Sequence, residues 1–118
     1  MDKVTDYKNK LLIIISSPSG TGKTSVCKKI IDHDNKIKLS VSHTTRAPRD
    51  NEINGKDYFF ISNEDFRSKI LEQSFLEYAN VFGNYYGTSE KNVKEILSAD
   101  FDVLFDIDWQ GAAQISNS

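Results

Sequence analysis

The stretch LLIIISSPSGTGKTSVCKKII (residues 11–31) decides how the rest of the chain is read. It opens on an unbroken aliphatic run, Leu11 to Ile15, the pattern of a strand covered on both faces of a sheet, and a strand is predicted over residues 10–16. It closes on Val26, Cys27, Ile30 and Ile31, which recur on one face at helical spacing, so a helix is predicted over Thr24–Asp32. Between the two lies SSPSGTGKTS (16–25), which has no large apolar side chain. A connection that buries so little and carries two glycines predicts a backbone shaped around an anion, because glycine admits conformations that other residues resist.

The phosphate-loop pattern G-x-x-x-x-G-K-[ST] is met by Ser17–Thr24 except at its first position, where serine stands for glycine. The setting outweighs that departure. A buried strand running in and an amphipathic helix running out aim backbone N–H groups and the positive end of the helix dipole at one point. Gly20, Thr21, Gly22, Lys23 and Thr24 are then expected to donate to phosphate oxygens, with Ser19 and Ser25 flanking them in the same nucleotide-binding set. The Lys23 ammonium belongs beside the outer phosphates, and the Thr24 hydroxyl is the candidate ligand for Mg2+. The alternative for this loop is a flexible glycine-rich turn with a surface lysine.

Composition narrows the partners. At 118 residues, 38% hydrophobic and 27% charged, the chain is the size of one ordinary domain and is neither disordered nor fibrous in character. Fifteen Lys+Arg against seventeen Asp+Glu leave a net charge of −2, so there is no broad positive field to gather nucleic acid or an anionic membrane, and phosphate recognition has to be local. The single cysteine, Cys27, cannot form an internal disulfide and reads as a small packed thiol in the helix rather than a catalytic one. MDKVTDYKNK at the N-terminus is too charged for a secretory signal, and no apolar run nears the roughly 20 residues that span a bilayer, so a cytoplasmic protein is expected.

Working outward, FDVLFDI (101–107) repeats the continuous apolar pattern and IKLSVSH (37–43) alternates, which predicts two further strands; Val93, Ile96 and Leu97 stripe a helix over Ser89–Ser98. Strands separated by helices predict an α/β fold with a parallel sheet. Between the second and third strands the polar loop TTRAPRDNEINGKD leads into YFFI, a short helix and FLEYANVF, the makings of a small mixed α+β subdomain. Ser62-Asn63-Glu64-Asp65 caps that helix, whose Phe66, Ile70 and Leu71 are expected to face inward. GNYYG (83–87) is predicted to hold a tight turn, and Tyr58-Phe59-Phe60, Phe82 and Tyr85-Tyr86 are expected to be mostly core. The chain thus divides into a core with the phosphate loop (1–41), the inserted subdomain (42–88) and the continuation of the core (89–118).

Arg46 and Arg49, three apart in a polar loop around Pro48, offer planar donor forks that suit phosphate oxygens; the alternative is two solvated arginines beside Asp50 and Glu52. Asp106 and Asp108 lie two apart at the carboxyl end of the third strand, hence on one side of it, where α/β sheets place ligands. His33 and His43 have no catalytic partner at a recognisable spacing.

In order and approximate spacing, SPSGTGKTS, SHTTRAPRDNEINGKDYFF, FLEYANVFGNYYGTS and DVLFDIDWQG resemble the successive signature segments of the guanylate kinase family, over almost the whole chain from Leu11. The resemblance implies a phosphate-loop NTPase-type core with an inserted GMP-binding subdomain, and transfer of the γ-phosphate of ATP to GMP with Mg2+ present. It implies that Arg46 and Arg49, with the hydroxyls of Tyr58 and Tyr86, clamp the GMP phosphate, and that Lys23, Arg46 and Arg49 carry the catalysis. It further implies that Glu77 and Asp108 read the guanine base with Ser42 and Thr88 assisting, where the family usually shows serine in place of Thr88. A buried carboxylate accepts from guanine N1–H and N2–H2 and repels adenine, whose N1 is an acceptor. Asp106 and Asp108 fall near GMP and the metal, and Glu52, with Gly55 and Asp57 in the same signature, supports the clamping loop. The implied partners are ATP and GMP, with no nucleic acid and no membrane. Chains of this family continue past the position of Ser118 through a lid, so the resemblance implies weak binding and poor turnover for a chain that ends there. A noncatalytic guanylate-kinase-like interaction module, an inactive fragment, or a phosphate-loop kinase with another small acceptor remain as alternatives.

Overall fold

The computed structural model of the chain describes residues 12–16, 23–107 and 109–116, and within them every side chain except those of residues 16, 23–26, 109, 112 and 116. In chain order the elements are β1 (Leu12–Ser16), α1 (Lys23–His33), β2 (Ile37–Leu39), β3 (His43–Thr44), β4 (Phe59–Phe60), α2 (Asn63–Leu71), β5 (Phe75–Val81), β6 (Asn84–Ser89), α3 (Glu90–Ser98), β7 (Asp102–Ile107) and α4 (Trp109–Ser116). They form an α/β protein of two compact units, one taking the chain up to Ser40 and again from Asn92, the other taking Val41–Lys91.

In the first unit the aliphatic runs become a parallel sheet in the order β1-β7-β2, with Leu12 opposite Val103, Ile15 opposite Asp106, and Ile37 opposite Asp102. β7 is central. Its successive residues Val103, Leu104 and Phe105 are all fully buried, so both of its faces are covered, which is why FDVLFDI shows no polar alternation. Cys27 from α1 packs with Ile37 and Leu104, and Ile13, Ile15, Ile30, Ile31 and Leu39 close around them. The thiol is thus a small core group. No helix among the described residues is long and apolar enough to cross a membrane.

IKLSVSH does not run as one strand. Ile37–Leu39 belongs to the parallel sheet, where the Ser40 N–H still donates to the Leu104 carbonyl, whereas His43 begins β3 of the other sheet and the Ser42 carbonyl accepts from the Phe59 N–H. The alternation read as continuous is two short strands in sequence, and the chain exchanges partners at Val41.

The second unit is a four-stranded mixed sheet in the order β4-β3-β6-β5, parallel between β3 and β4 and antiparallel elsewhere. α2 lies against one face of it. Ser62 caps the helix by accepting from the Asp65 N–H at 3.0 Å, with Glu64 and Asp65 in the first turn. Phe66 is fully buried among the rings of Phe75, Tyr78 and Tyr85, a burial worth roughly 2–3 kcal/mol. Gly87 permits this packing. A Cβ there would stand 2.9 Å from two atoms of the Phe75 ring and 3.0 Å from Phe66.

Three expectations need correction. Leu71 is 84% exposed rather than inward, because it stands five positions after Phe66, half a turn or so off the stripe that Ile70 continues. Phe82 is 93% exposed rather than core. It occupies the turn itself: Val81 pairs with Asn84, leaving Phe82 and Gly83 as a two-residue hairpin loop with φ of 52° and 83°, so the turn lies one residue earlier than GNYYG implies and Asn84 opens β6.

Candidate active site

The pairing of the mixed sheet sorts its side chains onto two faces. His43 stacks on Phe59 at 4.8 Å and meets Phe75 at 5.9 Å, and Phe75, Tyr78 and Tyr85 meet Phe66, so these residues share the face covered by α2. Their neighbours in the alternation take the other face: Thr44 opposite Tyr86, and Glu77 opposite Thr88. Ser42, two residues before Thr44, falls on the same side.

A bulge makes this possible. Phe75 pairs with Ser89 and Glu77 with Thr88, so Leu76 is extra in β5, and Phe75 and Glu77, two residues apart, point to opposite faces. The carboxylate of Glu77 therefore leaves the aromatic side and joins Thr88. Both are deeply buried, Glu77 3% exposed and Thr88 not at all. The Thr88 hydroxyl has no hydrogen-bond partner among the described residues.

The loop after β3 adds the cations. Arg46 donates from Nη1 to Glu52 Oε1 and from Nη2 to Glu52 Oε2, both at 3.0 Å, and Glu52 Oε1 also accepts from the Arg49 N–H at 2.7 Å. The Arg46 guanidinium lies 5.2 Å from the centre of the Tyr58 ring, and Tyr58 meets Tyr86 edge-on at 5.9 Å. Hydrogen bonding to Glu52 first, and then to Tyr86, holds Arg46 further above its already high pKa against the opposing effect of burial. Glu52 is correspondingly held below the usual carboxylate range, by the Arg46 side chain and then by the Arg49 N–H. The result is a preformed arginine–carboxylate fork braced on two tyrosines. The Arg49 side chain is exposed and makes no ion pair among the described residues.

The loop is fixed by its own polar groups. The Ile53 N–H donates to Asp57 Oδ2 at 2.7 Å, the Phe60 N–H to Asn54 Oδ1 at 2.9 Å, and Gly55, at φ 88°, donates to the Tyr58 carbonyl at 2.7 Å.

Ser42, Arg46, Arg49, Glu52, Tyr58, Glu77, Tyr86 and Thr88 all belong to the second unit, and Glu52, Arg46, Tyr58 and Tyr86 form a chain of successive contacts. Lys23, Thr24 and Ser25 open α1 and Asp106 lies near the carboxyl end of β7, all in the first unit. Ser19, Gly20, Thr21, Gly22 and Asp108 lie outside the described residues, as do Ser17 and Pro18. Reading the sequence missed Thr44, whose hydroxyl bonds to both Tyr85 and Arg46; the doublet Thr44-Thr45 just before Arg46 was its only local trace.

A parallel core whose first strand leads into a helix by a phosphate-loop sequence, together with an inserted mixed sheet bearing an arginine–carboxylate–tyrosine cluster, defines an α/β protein of the phosphate-loop class. Within that class, the family model described as guanylate kinase matches residues 9–118, and the chain belongs to the guanylate kinase family. It is 50% identical over 112 residues to the guanylate kinase of Neisseria gonorrhoeae, covering 95% of this chain and 55% of that one. It is 54% identical over 108 residues to that of Clostridium tetani, covering 92% of this chain and 51% of that one. Among solved structures it resembles the guanylate kinase of Anaplasma phagocytophilum with a TM-score of 0.73 and 34% identity, covering 92% of this chain and 53% of that one. The chain spans about half the length of the curated relatives it matches.

Proposed function

We propose that this chain forms the phosphate-loop and GMP-binding portion of a guanylate kinase, which transfers the γ-phosphoryl group of ATP to GMP to give ADP and GDP in the cytoplasm. The observation that carries the reading is the face shared by Ser42, Glu77, Tyr86 and Thr88, where a buried carboxylate stands opposite an unpartnered buried hydroxyl beside a preformed arginine fork. A buried acceptor of this kind matches the donor edge of guanine and disfavours adenine.

Each side chain then has a separate task. Glu77 accepts from guanine N1–H and N2–H2, with Ser42, Thr88 and Asp108 completing the base contacts. Tyr58 and Tyr86 present hydroxyls to the acceptor phosphate. Arg46 is held by Glu52, so it contributes a fixed positive wall, while Arg49 is the cation left to swing onto the phosphate. The backbone from Ser19 to Ser25 cradles the donor phosphates, and Lys23 offsets the charge that builds on the γ-phosphoryl group during transfer.

Mg2+ fits the donor set, because the Thr24 hydroxyl and the Asp106 carboxylate are hard oxygen ligands whose backbones lie at the first turn of α1 and near the carboxyl end of β7. Thr24 would hold the metal together with the ATP phosphates, with Asp106 and Asp108 as the carboxylates proposed to serve it, and the metal would supply charge neutralisation. An oxygen of the GMP phosphate attacks the γ-phosphorus as the bond to the β-phosphate oxygen of ADP breaks. The acceptor is already a competent nucleophile, so no covalent enzyme intermediate is needed, and the protein aligns the two nucleotides and excludes water.

The test is ADP formation by the full protein with ATP and GMP, AMP, CMP or UMP in turn. Turnover with GMP in clear preference to the others is expected, together with a loss of turnover in Lys23→Ala that far exceeds its loss of GMP binding. A folded protein inactive with all four acceptors would instead favour an interaction module.

A further inference from the structure

We infer that Thr44 is the positioning residue that locks Arg46 and Tyr86 into one phosphate clamp, an inference that rests on the GMP-site reading above. Thr44 is fully buried and uses its hydroxyl in both directions. It donates to the Tyr85 carbonyl at 2.8 Å and accepts from the Arg46 N–H at 3.1 Å. One oxygen thus connects the backbone just before Tyr86 on β6, 41 positions from Thr44 in sequence, to the first residue of the arginine loop. Thr45 reinforces the same point, with its N–H donating to the Tyr85 carbonyl at 3.1 Å and its hydroxyl accepting from the Tyr85 N–H at 3.0 Å.

The consequence lies in the side chains that these backbones carry. Tyr86 pairs with Thr44 across the ladder and meets edge-on the Tyr58 ring over which the Arg46 guanidinium lies, and the position of that guanidinium against Tyr58 and Glu52 depends on where the Arg46 backbone leaves β3. A hydroxyl that donates and accepts at once polarises both bonds, so each strengthens the other. Valine in its place keeps the shape but leaves the partly buried Arg46 N–H without its acceptor and removes one of the two donors to the Tyr85 carbonyl. The Arg46 backbone is then free to drift, and a drift there misplaces the guanidinium relative to Tyr86. Thr44 touches neither nucleotide in this scheme; it acts through the two residues that do.

The experiment compares Thr44→Val, Thr44→Ser and wild type in the full protein, measuring GMP affinity by equilibrium titration and the KM for ATP by steady-state assay. Thr44→Val is expected to weaken GMP binding roughly tenfold, the order of one lost hydrogen bond, while the KM for ATP stays within twofold. Thr44→Ser, which retains the hydroxyl, should restore GMP affinity to within about twofold of wild type. A purely structural role would move both nucleotides together or neither. Thr44→Val binding GMP as tightly as wild type overturns the inference alone, and so does a Thr44→Ser that fails to rescue. Wild-type protein that does not bind GMP overturns the reading of the site and this inference with it. Should Thr44→Val not fold, Thr44→Cys carries the test: its thiol keeps the volume and weakens both bonds, so an intermediate loss of GMP affinity supports the inference and an unchanged affinity sinks it.

Discussion

Glu77 and Thr88 stand directly opposite each other across the β5–β6 ladder, both buried, and the Thr88 hydroxyl finds no hydrogen-bond partner among the described residues. A buried hydroxyl left in that condition costs stability, about 1–3 kcal/mol in typical cases. Its retention makes physical sense when a ligand supplies the partner. Thr88→Val should therefore raise the unfolding free energy by about 1 kcal/mol while lowering GMP affinity. Urea denaturation and GMP titration on the same preparation check both signs; a valine variant that is less stable, or that binds GMP as tightly, would count against Thr88 as a ligand-facing group.

Its cross-strand partner makes a sharper prediction about choice of base. Glu77→Gln preserves size but exchanges a pure acceptor for a group that also donates. The preference for GMP over AMP should shrink by at least an order of magnitude, the scale on which mismatched buried polar groups discriminate. Relative kcat/KM for the two acceptors measures it. A preference fully retained in the glutamine variant would remove Glu77 from the role of base reader.

On the opposite face, His43 is pressed between Phe59 and Phe75, and burial, with the nearby positive charge of Lys69 adding to it, pushes its pKa down from 6.5 to about 4. The folded protein thus binds this proton less readily than the unfolded chain does. Between pH 6.5 and about 4 the unfolded state carries more protons, so stability is full above pH 6.5 and declines as pH falls through that window. The expected decline is about 3 kcal/mol at most, the fall from 6.5 to about 4 at about 1.4 kcal/mol per pKa unit before screening. His43→Phe, which keeps the stacked ring, should flatten the urea midpoint across this range. A wild-type midpoint already flat there, once carboxylate effects are matched in the variant, would contradict the buried neutral imidazole.

Gly87 tests the packing between β6 and α2. A methyl group there meets the Phe75 and Phe66 rings at 2.9–3.0 Å, too near for either ring to remain in place. Gly87→Ala should cost about 1–3 kcal/mol, the usual range for overpacking a filled core. Because Tyr86 and Thr88 flank it, GMP affinity should fall as well. Equal stability of the alanine variant would mean that the aromatic cluster yields more readily than its close contacts imply.

What could be read from the chain alone follows from how local each signal is. The aliphatic runs ending at Ser16 and Ile107 announced the parallel strands, and Ser62 announced the start of α2, because both depend on neighbours in sequence. The ends of α2 and α3 were not marked by glycine: Gln73 and Asp100 take the left-handed positions, at φ of 58° and 72°, and the N–H groups of Ser74 and Phe101 close back onto the Lys69 and Ile96 carbonyls. The chemistry of Arg46 and Arg49 could be read as two planar donor forks in a polar loop, and it took the resemblance to single them out as a phosphate clamp. Glu77 could not be placed, since simple alternation puts it on the same face as Phe75, and only the bulge at Leu76 separates them. Thr44 was hidden for a different reason: its hydroxyl is defined by a partner on another strand.

The hairpin tip joins two costs in one residue. Phe82 is almost wholly exposed, so its ring contributes little to the core, and its backbone sits at φ 52°, where L-residues are disfavoured by about 1–2 kcal/mol. The turn demands that geometry: a two-residue loop with both φ values positive matches the twist of the strands, and Gly83 satisfies its own half without strain while donating to Asn80 Oδ1 at 3.1 Å. Asparagine tolerates the left-handed region far better than phenylalanine does. Phe82→Asn should therefore stabilise the protein by about 0.5–1 kcal/mol, with the slope of urea unfolding unchanged and GMP affinity untouched. A variant no more stable than wild type would mean that the exposed ring makes compensating contacts along β5 or β6, and the hairpin would then owe its register to Phe82 as well as to Gly83.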